Sequence, residues 1–303
     1  MTTKDPFSPH VLLSDALRVP IERQVSQHLG RAWRIETVED RNDCASHPAA
    51  ILSDGVFAVF TKLGQKTFVR DQFAQELIGL RLLAERSGVL TPKVIGNVDV
   101  EDGVIMILEA VQVVERKPRH WRQMGHALAL IHRTKWDRCG LETHSYWGDL
   151  YQDNQPIADW PGFYRDRRLL PRLRMAIDSG HVPRSVAKQI EKLIARLPEL
   201  CGPDVQPTLL HGDAHQNNFL STHDGAVLID PAVYYGHPEI DLAYVDLFSP
   251  VPDELFEGYQ EMGSIDPGFR ERRDLWLVSA WLGLVAMEAS YLDKLIASVR
   301  KYL

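Results

Sequence analysis

Residues 209–220 read LLHGDAHQNNFL, and AVLID follows at 226–230. Leu209 and Leu210 can anchor the segment in a core, and Gly212 permits a tight bend or a close backbone approach. Asp213 then opens a loop, with Asn218 five residues on. Phe219–Leu220, a turn at His223–Gly225 and the apolar run ending at Asp230 complete a loop–strand–turn–strand pattern. Two carboxylates and an amide survive between apolar anchors, and that combination suits a magnesium–nucleotide site. Mg²⁺ takes oxygen ligands and shares its shell with waters and phosphate oxygens. Asn218 and Asp230 are the candidate metal ligands. Asp213 is the candidate catalytic base, set to orient a hydroxyl for in-line attack and take its proton. His211 is read as a brace for the loop, and His215 receives no role. Two alternatives stand beside this reading. His211, Asp213 and His215 could bind zinc, although H-E-x-x-H is absent and Gly212 argues against a helix. The segment could also be a purely structural polar turn.

A phosphotransferase of this kind also needs a cation for the nucleotide phosphates and a carboxylate to hold it. The strand-like run VFTK ends at Lys62, and Glu76 follows within FAQEL. Glu76 is three residues from Phe73 and four from Leu80, so it shares the helix face that should pack on a sheet. A glutamate there calls for a partner, and Lys62 is the natural one. No G-x-x-x-x-G-K-[ST] and no G-x-G-x-x-G occurs, which removes the main signals of P-loop and dinucleotide-binding architectures. The phosphate-covering turn is expected near NDCASHPAAIL, residues 42–52, where no glycine is present. Backbone around Ala45–His47, with Ser46, is the candidate phosphate contact. Glu109 and Ala110, within ILEA, are the candidate adenine contacts through their backbone.

The wider chain fits an α+β plan. Leu17, Ile21, Val25 and Leu29 recur about one turn apart, and Gly30 should stop that helix. Two β-prone runs flank a turn at Ser53–Gly55, helical spacing covers 68–86, and VIMILEA at 104–110 reads as a buried strand. Helices dominate afterwards, and the tail from Arg270 should break near Glu288–Tyr291. The expected organisation is a small β-sheet lobe with one key helix over 11–110, followed by a larger, mainly helical lobe over 111–303. The stretch 141–170 is aromatic-rich and lacks periodicity, a feature often tied to function. With 303 residues, 45% hydrophobic content and a formal net charge of −7, the composition is that of a soluble globular protein and gives nucleic-acid binding no support. No apolar run reaches the length of a membrane span and no apolar leader starts the chain. Cys44, Cys139 and Cys201 form no metal-ligand or disulfide pattern. A cytoplasmic monomer acting on a small molecule, with neither nucleic acid nor membrane as partner, is the default expectation.

The specific pattern is longer than the loop. VLIDPAVYYGHPEIDLA carries Asp230-Pro231-Ala232, Tyr235, Gly236, Glu239, Asp241, Leu242 and Ala243. With LLHGDAHQNNFL it resembles the fructosamine (ketosamine) kinases, relatives of the aminoglycoside phosphotransferases and, more distantly, of protein kinases. Gly148, Gln152, Asn154, Trp160, Phe163, Arg167 and Pro171 fit the same resemblance, as does IDPGFRERRDLW. The resemblance implies a protein-kinase-like two-lobe fold and ATP- and Mg²⁺-dependent phosphorylation of a sugar–amine adduct, typically on its 3-hydroxyl. It implies Asp213 as base, Asn218 and Asp230 as metal ligands, and Lys62 with Glu76 ordering the phosphates. Gln152, Asn154 and Trp160 become candidates for the ketosamine side, with Trp160 also read as packing, and Asp241 as a brace of the catalytic loop. The glycine-free turn departs from the family pattern. It leaves open an aminoglycoside or other amino sugar as acceptor, and a pseudokinase-like scaffold as the non-enzyme alternative. The resemblance would let Cys44 correspond to the cysteine of redox-sensitive dimers in some members, but nothing in the sequence supports that role and a redox-linked dimer is not expected.

Overall fold

Alternation in AVFTKLG and GVIMILE builds the first part of the molecule, a five-stranded antiparallel sheet. The computed structural model describes residues 10–44 and 47–303. The chain divides into two compact units, one running to Arg81 and including Thr91–Val113, the other comprising Leu82–Leu90 and Val114–Leu303. In the first unit, α1 (Asp15–Leu29) precedes β1 (Thr37–Asp40), β2 (Ala49–Ser53) and β3 (Ala58–Gly64). Then come α2 (Val69–Ser87), whose residues from Leu82 on belong to the second unit, β4 (Val94–Val100) and β5 (Gly103–Glu109). The sheet order is β1-β2-β3-β5-β4. Gly30 caps α1 in the left-handed conformation, φ 65°. The Ser53–Gly55 turn forms because Asp54 Oδ1 accepts from the Val56 and Phe57 amides at 3.0 and 2.7 Å.

Side-chain alternation gives this sheet two cores. Val59, Leu63, Ile105 and Ile107 pack with Ile21 and Val25 of α1. Val104, Met106 and Leu108 pack with Val69, Phe73, Leu77 and Leu80 of α2. Lys62 stands opposite Met106 in the β3–β5 register. Strand period therefore places the lysine on the α2 face, where the helix carries Glu76.

The second unit opens with α3 (Pro118–His132). The hairpin β6 (Ser145–Trp147) and β7 (Leu150–Gln152) follows, then α4 (Trp160–Phe163), a wider π-pitched turn over Tyr164–Leu169, and α5 (Leu170–Asp178). After α6 (Arg184–Ala195) and α7 (Leu197–Leu200) come β8 (Thr208–Leu210), β9 (Phe219–Ser221), β10 (Ala226–Leu228) and β11 (Tyr234–Gly236). The unit closes with α8 (Glu239–Tyr244), α9 (Asp253–Met262), α10 (Phe269–Met287) and α11 (Leu292–Arg300). The expected break in the tail is a single 3-10 turn at Ala289–Tyr291. Among the described residues no helix is long and apolar enough to cross a membrane.

Two glycines let α3 and α9 meet at backbone distance. A Cβ on Gly125 would lie 2.0 Å from the Leu255 carbonyl oxygen, and one on Gly258 would lie 2.2 Å from that of Arg122. Backbone atoms cannot swing aside as a flexible side chain does. We expect Gly125→Ala to lower stability by about 2–3 kcal/mol, even though alanine favours an isolated helix by about 1 kcal/mol. A wild-type melting temperature for this variant would show that the helices can part at little expense.

A second expectation concerns acid. His237 is buried, stacks on Trp276 with ring centroids 5.1 Å apart, and accepts the Glu239 amide on Nδ1 at 3.3 Å. Burial first, then the nearby charges of Arg272 and His132, push its pKa down to about 3, with Asp266 opposing. The folded imidazole is thus neutral, whereas the unfolded one gains a proton near its ordinary value. Between these two values the unfolded state binds more protons, so stability falls as pH drops below about 6.5. From neutral pH to pH 5 this one residue should remove about 2 kcal/mol. His237→Asn keeps an acceptor for the Glu239 amide. Denaturant unfolding at both pH values should show a loss smaller by that amount in the variant; equal losses would refute the assignment.

Candidate active site

Strand β8 delivers the chain into the loop at His211, and Asp241 at the start of α8 fastens that loop. Its carboxylate is fully buried and accepts the His211 amide on Oδ2 at 2.7 Å and the Gly212 amide on Oδ1 at 2.9 Å. His132 Nε2 lies 3.2 Å from the same Oδ2, and its Nδ1 lies 2.9 Å from the Tyr259 hydroxyl. An ionised carboxylate only accepts, so Nε2 donates to it, while Nδ1 pairs with the Tyr259 hydroxyl. The buried charge is thus met by three donors, the arrangement a desolvated carboxylate needs. Gly212 has φ 79°, and a Cβ there would meet the Ala232 carbonyl oxygen at 2.1 Å. Only glycine fits.

His211 ties the loop to the strand that ends near Asp230. Its Nδ1 accepts the Asp213 amide at 3.3 Å, so Nε2 is the protonated nitrogen and donates to the Ile229 carbonyl at 3.0 Å. Burial pushes the imidazole pKa down, which keeps this neutral tautomer. The hairpin of β9 and β10 pairs Phe219 with Leu228. The Ile229 amide continues the ladder onto the Asn218 carbonyl at 3.0 Å. That register brings Asn218 and the approach to Asp230 to one end of the hairpin. Strand pairing stops at Leu228, two residues before the expected end, and Asp230 turns into the left-handed region at φ 50°. Aspartate tolerates that conformation better than most residues.

Asp213 is held by its neighbours through backbone. Its carbonyl accepts the Asn218 side-chain amide at 2.8 Å and the His215 backbone amide at 2.9 Å. Its side-chain Oδ1 is buried and has no hydrogen-bond partner. Burial first, then the Asp230 charge, raises the Asp213 carboxyl to about 7. The Trp147 indole, the Arg172 charge and the Asn218 amide pull in the other direction. The Trp147 N–H nevertheless closes no hydrogen bond, and like Oδ1 it is buried and unmet. His215 Nε2 is 3.8 Å from Asp213 Oδ2, and its ring meets Phe248 edge-on with centroids 5.0 Å apart.

The donor set fits a magnesium ion. The Asn218 side-chain nitrogen donates to the Asp213 carbonyl, which orients the amide oxygen as the group to offer a cation. Asp230 contributes a carboxylate whose charge is already felt at Asp213. One carboxylate and one amide oxygen leave most of an octahedral shell to water and phosphate oxygens.

In the first unit, Lys62 Nζ lies 3.1 and 3.0 Å from the two Glu76 carboxylate oxygens and 5.3 Å from the centre of the Phe73 ring. Both side chains are nearly buried, at 7% and 11% exposure. Of the backbone groups expected to meet an adenine, the Glu109 and Ala110 amides are already taken. The Glu109 N–H donates to the Lys93 carbonyl at 2.9 Å and the Ala110 N–H to the Ala58 carbonyl at 3.0 Å. Both are consumed by the sheet. The Glu109 carboxylate stands 3.4 Å from Lys93 and 3.7 Å from His28. Ser46, together with Ala45, lies outside the described residues, and so does the side chain of Cys44. His47 meets the Phe73 ring edge-on at 5.5 Å.

Gln152 and Asn154 are scaffold here rather than ketosamine contacts. Both are buried. Gln152 donates to Ser145 Oγ at 3.2 Å and accepts from Arg172 at 2.8 Å. The Asn154 amide donates to Thr143, Ser145 and Val233, and its oxygen accepts from Arg168 at 2.6 Å. Trp160 packs, stacked on Phe163 and Tyr164 at 5.8 and 5.3 Å.

Four contributors escaped the sequence reading. Arg168 and Arg172 are buried four residues apart, and among the described residues neither has a carboxylate within ion-pair distance. Arg168 lies over the rings of Phe163 and Tyr234, and Arg172 over Trp147. Their spacing beside Leu169 and Leu173 was the available signal for an inward-facing pair. Arg116 clamps the segment around Asn218, donating to the Gln216 carbonyl at 3.1 Å, Ser221 Oγ at 3.2 Å and the Phe219 carbonyl. Trp147 lies in the aperiodic, aromatic-rich stretch 141–170, but nothing there singled it out from its neighbours.

This architecture is that of kinase-like phosphotransferases. A Haemophilus somnus structure named after fructosamine-3-kinase superposes with a TM-score of 0.85 at 22% identity, covering 94% of this chain and 97% of its own. An aminoglycoside phosphotransferase solved with ADP and hygromycin B superposes at 0.62 with 11% identity, over 93% of this chain and 96% of its own. The family model for fructosamine kinase matches residues 18–303, and the chain belongs to that family. It is an ATP-dependent phosphotransferase acting on a small hydroxylated substrate. A Thermobifida fusca structure, also named after fructosamine-3-kinase, is 30% identical with a TM-score of 0.82, covering 93% and 98% of the two chains. A probable ketoamine kinase from Pasteurella multocida is 29% identical over 84% of this chain and 88% of its own. The mouse ketosamine-3-kinase is 25% identical over 74% and 81%.

Proposed function

We propose that the protein transfers the γ-phosphoryl group of ATP to a ketosamine hydroxyl, the 3-hydroxyl of a fructosamine- or ribulosamine-type adduct, with Mg²⁺. The observation that carries this is Asp213: a largely buried carboxylate with one buried, unmet oxygen, braced through its loop by Asp241 and set beside Asn218 and Asp230. In the reaction Asp213 accepts the hydroxyl proton as the acceptor oxygen bonds to γ-phosphorus. The bond from that phosphorus to the β–γ bridging oxygen breaks, and ADP leaves. Asn218 and Asp230 hold the metal, which when bound neutralises charge on the phosphate oxygens. Lys62, kept in place by Glu76, contacts the nucleotide phosphates. A base titrating near pH 7 is half ionised there and still basic enough to take a proton, the balance general-base catalysis favours.

The test is ATP consumption with Mg²⁺ across fructosamines, ribulosamines, free amino sugars and aminoglycosides, with each product located by mass and NMR. Phosphorylation of a ketosamine on its 3-hydroxyl is the expected result. Turnover confined to aminoglycosides or free amino sugars would overturn the substrate and leave the phosphotransferase chemistry in place. ATP binding without turnover on any acceptor would overturn both.

A further inference from the structure

Two polar atoms that close no hydrogen bond stand near one another at the candidate base, the Trp147 indole near enough to act on the Asp213 carboxylate, and together they describe a ligand group. Asp213 Oδ1 can only accept when ionised, and the Trp147 indole N–H can only donate. Both are buried without a hydrogen-bond partner. Leaving each unmet costs about 1–3 kcal/mol, and native interiors rarely retain such atoms without a reason. The indole is not loosely placed. Trp147 is 4% exposed, on the inward face of the β6–β7 hairpin. Its benzo edge seats over Gly283, where an added Cβ would lie 3.1 Å from Cζ3. The pyrrole nitrogen lies across the ring from that edge. The Arg172 guanidinium covers the ring at 4.7 Å and is itself pinned by the Ser279 carbonyl and Gln152 Oε1, both at 2.8 Å. A cation over the ring face also strengthens the indole as a donor.

A group that satisfies both atoms must donate to the carboxylate and accept from the indole. A hydroxyl does both; an ammonium only donates. We propose that Trp147 is an acceptor-binding residue, whose indole N–H donates to the oxygen of the reacting hydroxyl while Asp213 takes that hydroxyl's proton. The site thereby selects a hydroxyl over an amine at the reacting position. This rests on Asp213 being the base, as argued above. The hydrogen bond also sets the direction of the hydroxyl's remaining lone pair, which is the one that attacks phosphorus.

Trp147→Phe removes the N–H and keeps an aromatic ring beside Arg172, at the loss of the benzo edge over Gly283. With a fructosyl amine as acceptor, kcat/KM for the acceptor should fall about tenfold, one neutral hydrogen bond's worth, while KM for Mg²⁺–ATP stays unchanged. As competitive inhibitors, 3-deoxy and 3-amino-3-deoxy analogues should bind the wild type more weakly than the parent, and the gap should shrink by the same factor in the variant. Unchanged acceptor kinetics, or a loss confined to Mg²⁺–ATP, would overturn the proposal. Should the variant fail to fold, the wild type labelled with ¹⁵N at its seven indoles serves instead. One indole N–H should shift downfield with the parent acceptor in the presence of Mg²⁺–ADP and stay put with the 3-deoxy analogue; no such signal overturns the assignment. Wild-type turnover separates the two readings. If the fructosyl amine is not a substrate, the same comparison is made with whichever acceptor turns over, and if none does, the hydroxyl assignment falls with the reaction.

Discussion

Asp213→Asn should lower kcat by 10²–10⁴-fold, the range a positioned general base contributes, and leave KM for Mg²⁺–ATP within about twofold. The substitution preserves shape. The backbone bonds that Asp213 makes to Asn218, His215 and His211 do not involve its carboxylate, so the loop should keep its course. What changes is proton affinity, since an amide cannot take the hydroxyl proton. Thermal unfolding supplies an independent sign. In the metal-free protein burial and the Asp230 charge raise the Asp213 carboxyl to about 7, so between its ordinary value and 7 the folded state binds more protons than the unfolded one. Stability attributable to this group therefore falls as pH rises through that window. The full shift corresponds to at most about 4 kcal/mol. The amide carries no charge, so the metal-free variant should melt above the wild type at pH 8 and converge with it near pH 4. A loss of activity together with a gain of stability is the signature of a residue kept for chemistry. An active Asp213→Asn enzyme would remove this residue as the base.

The parts legible in the sequence were those with short-range logic. Lys62 and Glu76 could be paired from two periods, 2 along the strand and 3.6 along the helix, because one register decides which face each occupies. The loop from His211 to Asp230 was legible because Gly212, the Asp–Asn spacing and the following hairpin lie within a few residues of each other. Trp147 was not, because its partners come from Gly283 and Arg172, on two separate helices. Gln152 and Asn154 became candidate ligand contacts through the family resemblance of their stretch. Their polarity is absorbed by Arg168 and Arg172, buried cations whose need for acceptors appears only once the chain is folded. The amides of Glu109 and Ala110 failed for a related reason. Residue order places them at the end of β5, but strand pairing decides which N–H groups remain to be used, and Lys93 and Ala58 take both.

Asp230→Asn tests the metal side with the backbone held constant. Asp230 sits at φ 50°, where a β-carbon is strained and asparagine and aspartate are the residues besides glycine that accommodate it best. Alanine there would mix the loss of a ligand with local strain; asparagine removes the charge and keeps an oxygen. We expect turnover at saturating ATP to fall by 10²–10⁴-fold, equivalent to about 3–5 kcal/mol of transition-state stabilisation, and the Mg²⁺ concentration for half-maximal activity to rise at least tenfold. Asp230→Gly is the control for the backbone, free of strain and of carboxylate alike, and should be at least as impaired. The same charge is also the second contributor to the raised Asp213 carboxyl. In the metal-free Asp230→Asn protein that carboxyl should therefore titrate below 7, readable by ¹³C NMR of labelled aspartate. The two readouts separate the roles. A lowered Asp213 titration with unchanged metal dependence would leave Asp230 an electrostatic neighbour of the base and end its assignment as a ligand. A raised metal requirement together with the lowered titration is the result expected of a carboxylate that holds the ion beside the base.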